Sequence, residues 1–269
     1  MSTANLASIH PKAKIGRNVT IGPFSVIEED VVIGDDTWIG SHVVLMNGTR
    51  TGKACKVFPG AVLGAMPQDL KFDGESTTLE IGDRVVVREY CTLNKGTHAT
   101  GKTVIKDNCL LMAYVHVAHD CEIEANCVIA NSVNLAGHIH IDEYARIGGN
   151  VAVHQFVKIG KHCFIGGGAL VRKSVPPFVK AAREPLSYVG VNSIGLKRSG
   201  FTAEQIHNIQ DIYRILFVKK GFNTKDAIEH IESEIQYSPE RDYILSFIKE
   251  VDRGIIRGFR HLNGSYNNH

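Results

Sequence analysis

One tryptophan, four methionines and 7% aromatic residues in a chain of 269 leave little material for a core of large rings. Small and branched side chains must fill it instead, and 26 glycines within a chain that is 43% hydrophobic fit that need. No stretch reaches the roughly 18 apolar residues of a spanning helix, so no stable membrane insertion is expected. The opening Met1 to Ala7 has neither the basic flank nor the apolar run of a secretory signal, which makes the cytoplasm the expected compartment. Charge of one sign is not in excess either. Thirty Lys and Arg against 28 Asp and Glu give a formal +2, too even to advertise nucleic acid as a partner. Vicinal cysteines are also lacking, so the six thiols are not arranged for redox chemistry or for zinc.

What is present is a repeat. Reading every sixth residue from Ile9 to Val171 meets Ile, Leu or Val at 24 of 28 positions in one unbroken phase, where chance gives about a quarter. A period of six suits neither a lone helix nor an alternating strand. It suits a triangular solenoid, in which three six-residue faces make an 18-residue coil and each branched side chain stacks on the one 18 residues away. The 162 residues then give nine coils, and at about 4.8 Å per coil a prism of about 45 Å. Glycine follows the repeat position ten times, which reads as a sharp turn after each inward side chain.

Two stretches keep the phase but break the pattern: 65–80 and roughly 95–103. Both read as loops thrown out of the prism, and long loops that a scaffold does not itself need are more often functional than accidental. The repeat ends at Pro176 and Pro177. A helical domain follows, with Thr202 and Gln205 spaced as a capping box, Gly221 placed to stop that helix, and further starts near Thr224 and at Pro239 after Ser238. The expected division is 1–190 for the solenoid and 191–269 for the helical domain, with a polar tail after Gly258 that frays.

All six cysteines lie four residues after a repeat position, and five share one remainder on division by 18, the signature of a ladder of small buried side chains. Histidines behave differently. Folded by 18, His119 stacks on Gly137 and Gln155, His138 stacks on Asp120, and His154 and His116 lie close by. His119, two places after the inward Val117, should point outward. Solvated imidazoles, a zinc site and a general acid/base site all fit these residue types. Asp120 favours the last, because a neighbouring carboxylate holds one ring nitrogen protonated and leaves the other free to accept a proton.

These motifs, in order, resemble one family. Gln68 to Lys71, Ala118 to Cys121, Leu135 to His138, Val153 to Phe156 and Gly195 to Arg198 are similar to the UDP-N-acetylglucosamine acyltransferases that open lipid A biosynthesis, over nearly the whole chain. The resemblance implies a mainly β fold, a left-handed parallel β-helix of hexapeptide repeats followed by an α-helical domain, assembled as a homotrimer. It also implies transfer of an (R)-3-hydroxyacyl group from acyl carrier protein to the 3-hydroxyl of UDP-N-acetylglucosamine. No cofactor beyond the carrier's phosphopantetheine arm and no metal is implied.

Position by position, the resemblance makes His119 the general base, Asp120 the group that orients it and Gly137 the oxyanion donor. Asp69, Lys71, His116, His138, His154, Gln155, Asn192 and Arg198 match substrate contacts, the last two at the nucleotide end. Gly167 matches the position that limits acyl length, and glycine there leaves room for a long chain, about 14 carbons or more. The chain departs from the pattern at Asn94, Ile194 and Ser199, where His, Glu and a second Arg can stand. Lys158, Lys161, Arg172, Lys173, Lys180 and Arg183 form a basic run that reads as a docking surface for an acidic carrier protein. The rivals are an acyltransferase whose sugar acceptor is an amine, a zinc-dependent hydrase on the same solenoid, and a solenoid without catalysis.

Overall fold

The computed structural model describes residues 6–218 and 223–258. It is a left-handed parallel β-helix of hexapeptide coils, with helices α1 (Ser193–Arg198), α2 (Ala203–Phe217), α3 (Thr224–Glu234) and α4 (Pro239–Glu250) beyond its end. Strands of mostly two residues stack into three sheets, so that the first face runs from Ser8–Ile9 through Val26–Ile27 up to Leu170–Val171. The repeat residue of each strand points inward. Ile39, Leu45, Leu63, Leu93, Ile105, Leu111, Ile123 and Ile141 are all fully buried. Ile9 and Ile15, on the first rungs, are 38% exposed because only one neighbouring coil covers them.

The two loops explain why the phase survives but the coil count does not. Val62 pairs with Thr92 and Thr92 with His116, separations of 30 and 24 residues where other coils use 18. The insertions are therefore 12 and 6 residues, both multiples of six, and together one coil's worth. The first face carries nine strands, so the prism spans eight full coils rather than nine, about 38 Å. The cysteine ladder is corrected by the same count. Cys55, Cys109, Cys127 and Cys163 share one column with Val85 and Ala145, whereas Cys91 lies between the insertions, out of the 18-residue register, and stacks on Val115 in another. All six are free and buried, and burial pushes the Cys91 thiol to about 11 and Cys121 to about 12.

Of the ten glycines after repeat positions only Gly64 is left-handed (φ 79°), so the others are not there to turn the chain. The left-handed corner residues are mostly non-glycine, such as Asp120 (φ 58°), His138 (φ 60°) and Phe156 (φ 63°). Gly34 is required by close approach instead: a Cβ there would lie 2.3 Å from the carbonyl oxygen of Gly52 on the next coil.

Beyond Val171 the strands Val179–Ala182 and Ser187–Val191 form an antiparallel pair on the third sheet. Helix α2 then seals the end of the core, with Tyr213 wholly buried and its hydroxyl donating to the Pro177 carbonyl at 2.6 Å. The Thr202 and Gln205 capping box forms in both directions. Asn223 and Ser238 cap α3 and α4, with Pro239 in the first turn of α4. Gly221 and the tail after Gly258 lie outside the described residues.

Candidate active site

Both loops leave the prism at one corner, between the first and second faces. The chain departs after Ala65 and rejoins at Thr78, then departs after Asn94 and rejoins at Lys102, one rung later. His119 occupies the same corner on the next rung, followed by Gly137 and Gln155. The loops therefore wall the place where the histidine column begins.

Nδ1 of His119 lies 2.7 Å from Oδ2 of Asp120. The carboxylate is buried and takes three further donors, the Thr97 amide (3.0 Å), the Thr97 hydroxyl (2.7 Å) and the Thr100 hydroxyl (2.5 Å). Burial opposes its charge, but the hydrogen bonds from Thr100, His119 and Thr97 win, and its pKa falls to about 2. An ionised Asp120 can only accept, so Nδ1 of His119 carries the proton and Nε2 is left as a base. Thr97 and Thr100 were missed by sequence reasoning. The signal was a Thr-x-x-Thr spacing in an insertion that emerges one rung before Asp120.

Gly137 lies against the imidazole. A Cβ on it would sit 2.6 Å from Cε1 and 2.8 Å from Nε2 of His119, so the ring owes its position to the missing side chain. The Gly137 amide donates to no acceptor among the described residues. His138 stands edge-on to His119 with centroids 5.1 Å apart and stacks on Phe156 at 4.6 Å. Its pKa is lowered, first by burial and then by the nearby His119, against the opposing pull of Asp120 and Asp69. His116 is half-buried on the first face, 2.7 Å from the Thr92 hydroxyl, and burial lowers its pKa too. His154 and Gln155 are exposed one rung further along.

His119, Asp120 and His138 also bring one donor atom each within 4.8 Å of one another, the residue set of a metal site. The 2.7 Å between Nδ1 and Oδ2 is a hydrogen-bond distance. Two ligands at about 2.0 Å on a tetrahedral ion stand about 3.3 Å apart. As the side chains stand, His119 and Asp120 are joined by a hydrogen bond.

Asp69 bends the first loop by accepting from the amide of Lys71 at 3.0 Å, which leaves the Lys71 side chain exposed at the loop's tip. Glu75 ties this loop to the second by accepting the His98 amide at 3.0 Å. Asn94 anchors the loop base, its amide donating to the Met66 carbonyl at 3.2 Å.

Asn192 and Arg198 are not brought to this corner. They lie on the third face, opposite it, in a cavity of about 900 Å³ between α1 and the prism. Asn192 is occupied structurally: its oxygen accepts the Gly195 amide to cap α1, and its amide donates to the His162 carbonyl at 2.9 Å. Ile194 and Ser199 line the same cavity. Gly167 is exposed at the corner between the third and first faces, where the nearest atom to an added Cβ is the Gly149 oxygen at 3.1 Å.

The basic run does not make one surface. Lys158 pairs with Glu250 at 3.8 Å and Lys161 sits 3.8 Å over the Tyr243 ring, both engaged by α4. Lys180 faces the large cavity, whereas Arg172 and Lys173 rim a smaller one of about 230 Å³ near the end of the prism. Arg172 also reaches Glu184 at 3.6 Å.

Comparison with known proteins agrees with this architecture. Residues 175–256 match the model of the Udp N-acetylglucosamine O-acyltransferase family, domain 2, and 12–47, 102–137 and 138–173 match the bacterial transferase hexapeptide. A Chlorobaculum parvum acyl-(acyl-carrier-protein) UDP-N-acetylglucosamine O-acyltransferase is 48% identical over 93% of this chain and 97% of its own. The chain belongs to that family. It is an O-acyltransferase with close structural kin in the family. The Bacteroides fragilis UDP-N-acetylglucosamine acyltransferase superposes with a TM-score of 0.92 at 49% identity, covering 94% of this chain and 98% of that one. The Francisella novicida enzyme gives 0.91 at 38%, covering 98% and 99%.

Proposed function

We propose that this acyltransferase moves a long (R)-3-hydroxyacyl group from acyl carrier protein to the 3-hydroxyl of UDP-N-acetylglucosamine, the step that opens lipid A assembly. The observation that carries the reading is the His119 and Asp120 pair beside a glycine. Asp120 fixes the tautomer of His119, and Nε2 takes the proton from the sugar hydroxyl as that oxygen attacks the thioester carbonyl. A sugar hydroxyl is a poor nucleophile near pH 7, and such proton removal contributes about 10² to 10⁴ in rate. The unpartnered Gly137 amide is available to the oxyanion as it forms. Collapse expels the carrier thiolate, which takes up the proton from His119 and leaves as the thiol. The thioester arrives already activated, so the chain moves one proton and needs no cofactor of its own.

His138, neutral because its pKa is lowered, can donate or accept toward the sugar, with His116, His154 and Gln155 along the same column. Lys71 extends from the tip of the first loop with the reach and charge to meet a phosphate. Arg198 and Gly167 act on a neighbouring chain's substrate, with Asn192 holding α1, which carries Arg198, in place. Their place away from the His119 corner supports a site shared between copies of the chain, because one chain cannot present a corner and its opposite face to one nucleotide sugar; that the copies number three is what the family resemblance implies. Arg172 and Lys173, together at the rim of the smaller cavity, are the part of the basic run offered to an acidic carrier. Among the described residues no helix is long and apolar enough to cross a membrane, and the reading places the enzyme in the cytoplasm with soluble substrates.

The test is acyl transfer by purified protein from long-chain (R)-3-hydroxyacyl carrier protein, with UDP-N-acetylglucosamine or its 3-amino counterpart as acceptor. Product with the hydroxyl sugar, lost in His119→Ala and insensitive to chelator, is the expected result. Activity only with the amino sugar, or only with a short thioester, would overturn the substrate assignment. Loss of activity with chelator would favour the metal reading of the same three residues.

A further inference from the structure

The cavity on the third face holds more positive charge than Arg198 alone. Val128, Arg146, Phe164 and Lys180 follow one another up that face on successive rungs, so the two cations stand two rungs apart, about 10 Å, on the same wall. Arg198 faces them from α1. Three cations thus converge on one cavity, and no carboxylate is among the described residues that line it. Such a recess focuses an anion-attracting field.

The wall is prepared for these side chains. Arg146 spends one guanidinium N–H on the Asn126 carbonyl at 2.6 Å, which fixes the head group and leaves its other donors available. Lys180 pairs across the hairpin with Gly190, which sets no side chain beside it. Tyr144 and His162 add flat surface at the edge of the cavity, their rings stacked 4.8 Å apart and 1° from parallel. Burial, with Lys161 and Arg146 nearby, lowers the His162 pKa to about 4, so its ring is uncharged at neutral pH.

We propose that Arg146 and Lys180, with Arg198, hold the diphosphate of the nucleotide sugar, supplying from the prism wall the cation that Ser199 does not supply from α1. This rests on the acceptor assigned above. Three donors of fixed charge suit a diphosphate, the stacked rings suit a flat base, and the cavity of about 900 Å³ has room for both. Asn192 is spent on capping and bridging, which leaves the charge recognition to these side chains.

Calorimetric titration of the full chain with UDP, and separately with uridine, tests this on Arg146→Met, Lys180→Met and the double variant, with Lys180→Arg as the conservative control. Each single change should weaken UDP about tenfold and the double change about 100-fold, with a shallower salt dependence and little change for uridine. The KM for the nucleotide sugar should rise while that for the carrier thioester stays put. Ser199→Arg placed in the Lys180→Met background should recover much of the loss. Unaltered UDP affinity in the double variant, with unchanged thermal unfolding, would overturn the inference, as would a rise confined to the KM for the carrier. Wild-type protein that binds neither UDP nor the nucleotide sugar would overturn the acceptor assignment itself, and this inference with it.

Discussion

Gly137 and His119 occupy space that only one of them can own. A methyl group on the glycine would lie 2.6 Å from the imidazole, so the position of the base depends on a side chain that is not there. Gly137 is not one of the left-handed corner residues, so alanine there faces no backbone strain, only the ring.

Gly137→Ala should therefore fold normally and lose turnover. A displacement of about 1 Å costs about 10² in rate. The expected outcome is a fall of that order in kcat, little change in KM for the nucleotide sugar, and thermal unfolding close to wild type. Unchanged kcat would mean that the His119 ring is free to move without consequence.

Asp120→Asn keeps the shape and removes the charge that sets the His119 tautomer. Turnover should drop by about 10² to 10⁴. The same change alters acid stability. The folded pKa of Asp120, about 2, lies below its ordinary value of 3.8, so its stabilisation is present above pH 4 and is lost as pH falls from about 4 to about 2. That contribution is about 2 kcal/mol. Denaturant unfolding between pH 2 and 6 should show a flatter acid limb in the variant.

Thr97 and Thr100 hold Asp120 from the second loop, and the double change to valine should raise its pKa and loosen that loop. We expect kcat to fall about tenfold, as for losing hydrogen bonds to a charged group, and amide exchange at 95–101 to quicken. Unaltered exchange with unaltered kcat would show that the loop is held elsewhere.

His140 lies 2.8 Å from Asp142, which also accepts the Tyr243 hydroxyl of α4, and 3.4 Å from Glu122. The hydrogen bond to Asp142 outweighs burial and raises its pKa above 6.5. A raised pKa stabilises fully below the unfolded value and is lost as pH climbs through the folded one. His140→Gln should thus be less stable than wild type by about 1 kcal/mol at pH 6, and the difference should shrink toward pH 9. Equal differences at both values would remove the charge from the explanation.

Gly167 has open space beyond the Gly149 carbonyl at its corner. Gly167→Met should shift the preferred acyl chain shorter by several carbons when carrier thioesters of graded length compete. An unchanged preference would place the length limit at another residue.

The period of six was legible because every coil solves the same problem, filling a narrow triangular core with one branched side chain per face. Ile105, Ile123 and Ile141 could be placed in that core from spacing alone. The stacking of His119, Gly137 and Gln155 was legible too, because all three follow both insertions and the count by 18 holds among them. Cys91, between the insertions, was misplaced for want of that condition. The turn residues were misread as glycines, since Asn and Asp tolerate the left-handed region and His and Tyr at the corners stack on one another from rung to rung, which spacing does not reveal.

Local sequence determined what each coil is: an inward branched residue, a corner, an outward strand. Only the tertiary structure decided which distant residues share a site. Thr97 and Thr100 reach Asp120, more than twenty residues away in Thr97's case, because an insertion folds back over the next rung. Arg146 and Lys180 meet Arg198 because α1 packs on the third face. Hydrogen-bonded rungs propagate a repeat from residue to residue, whereas loops and helices settle wherever burial and charge are best satisfied, and that is a property of the assembled surface.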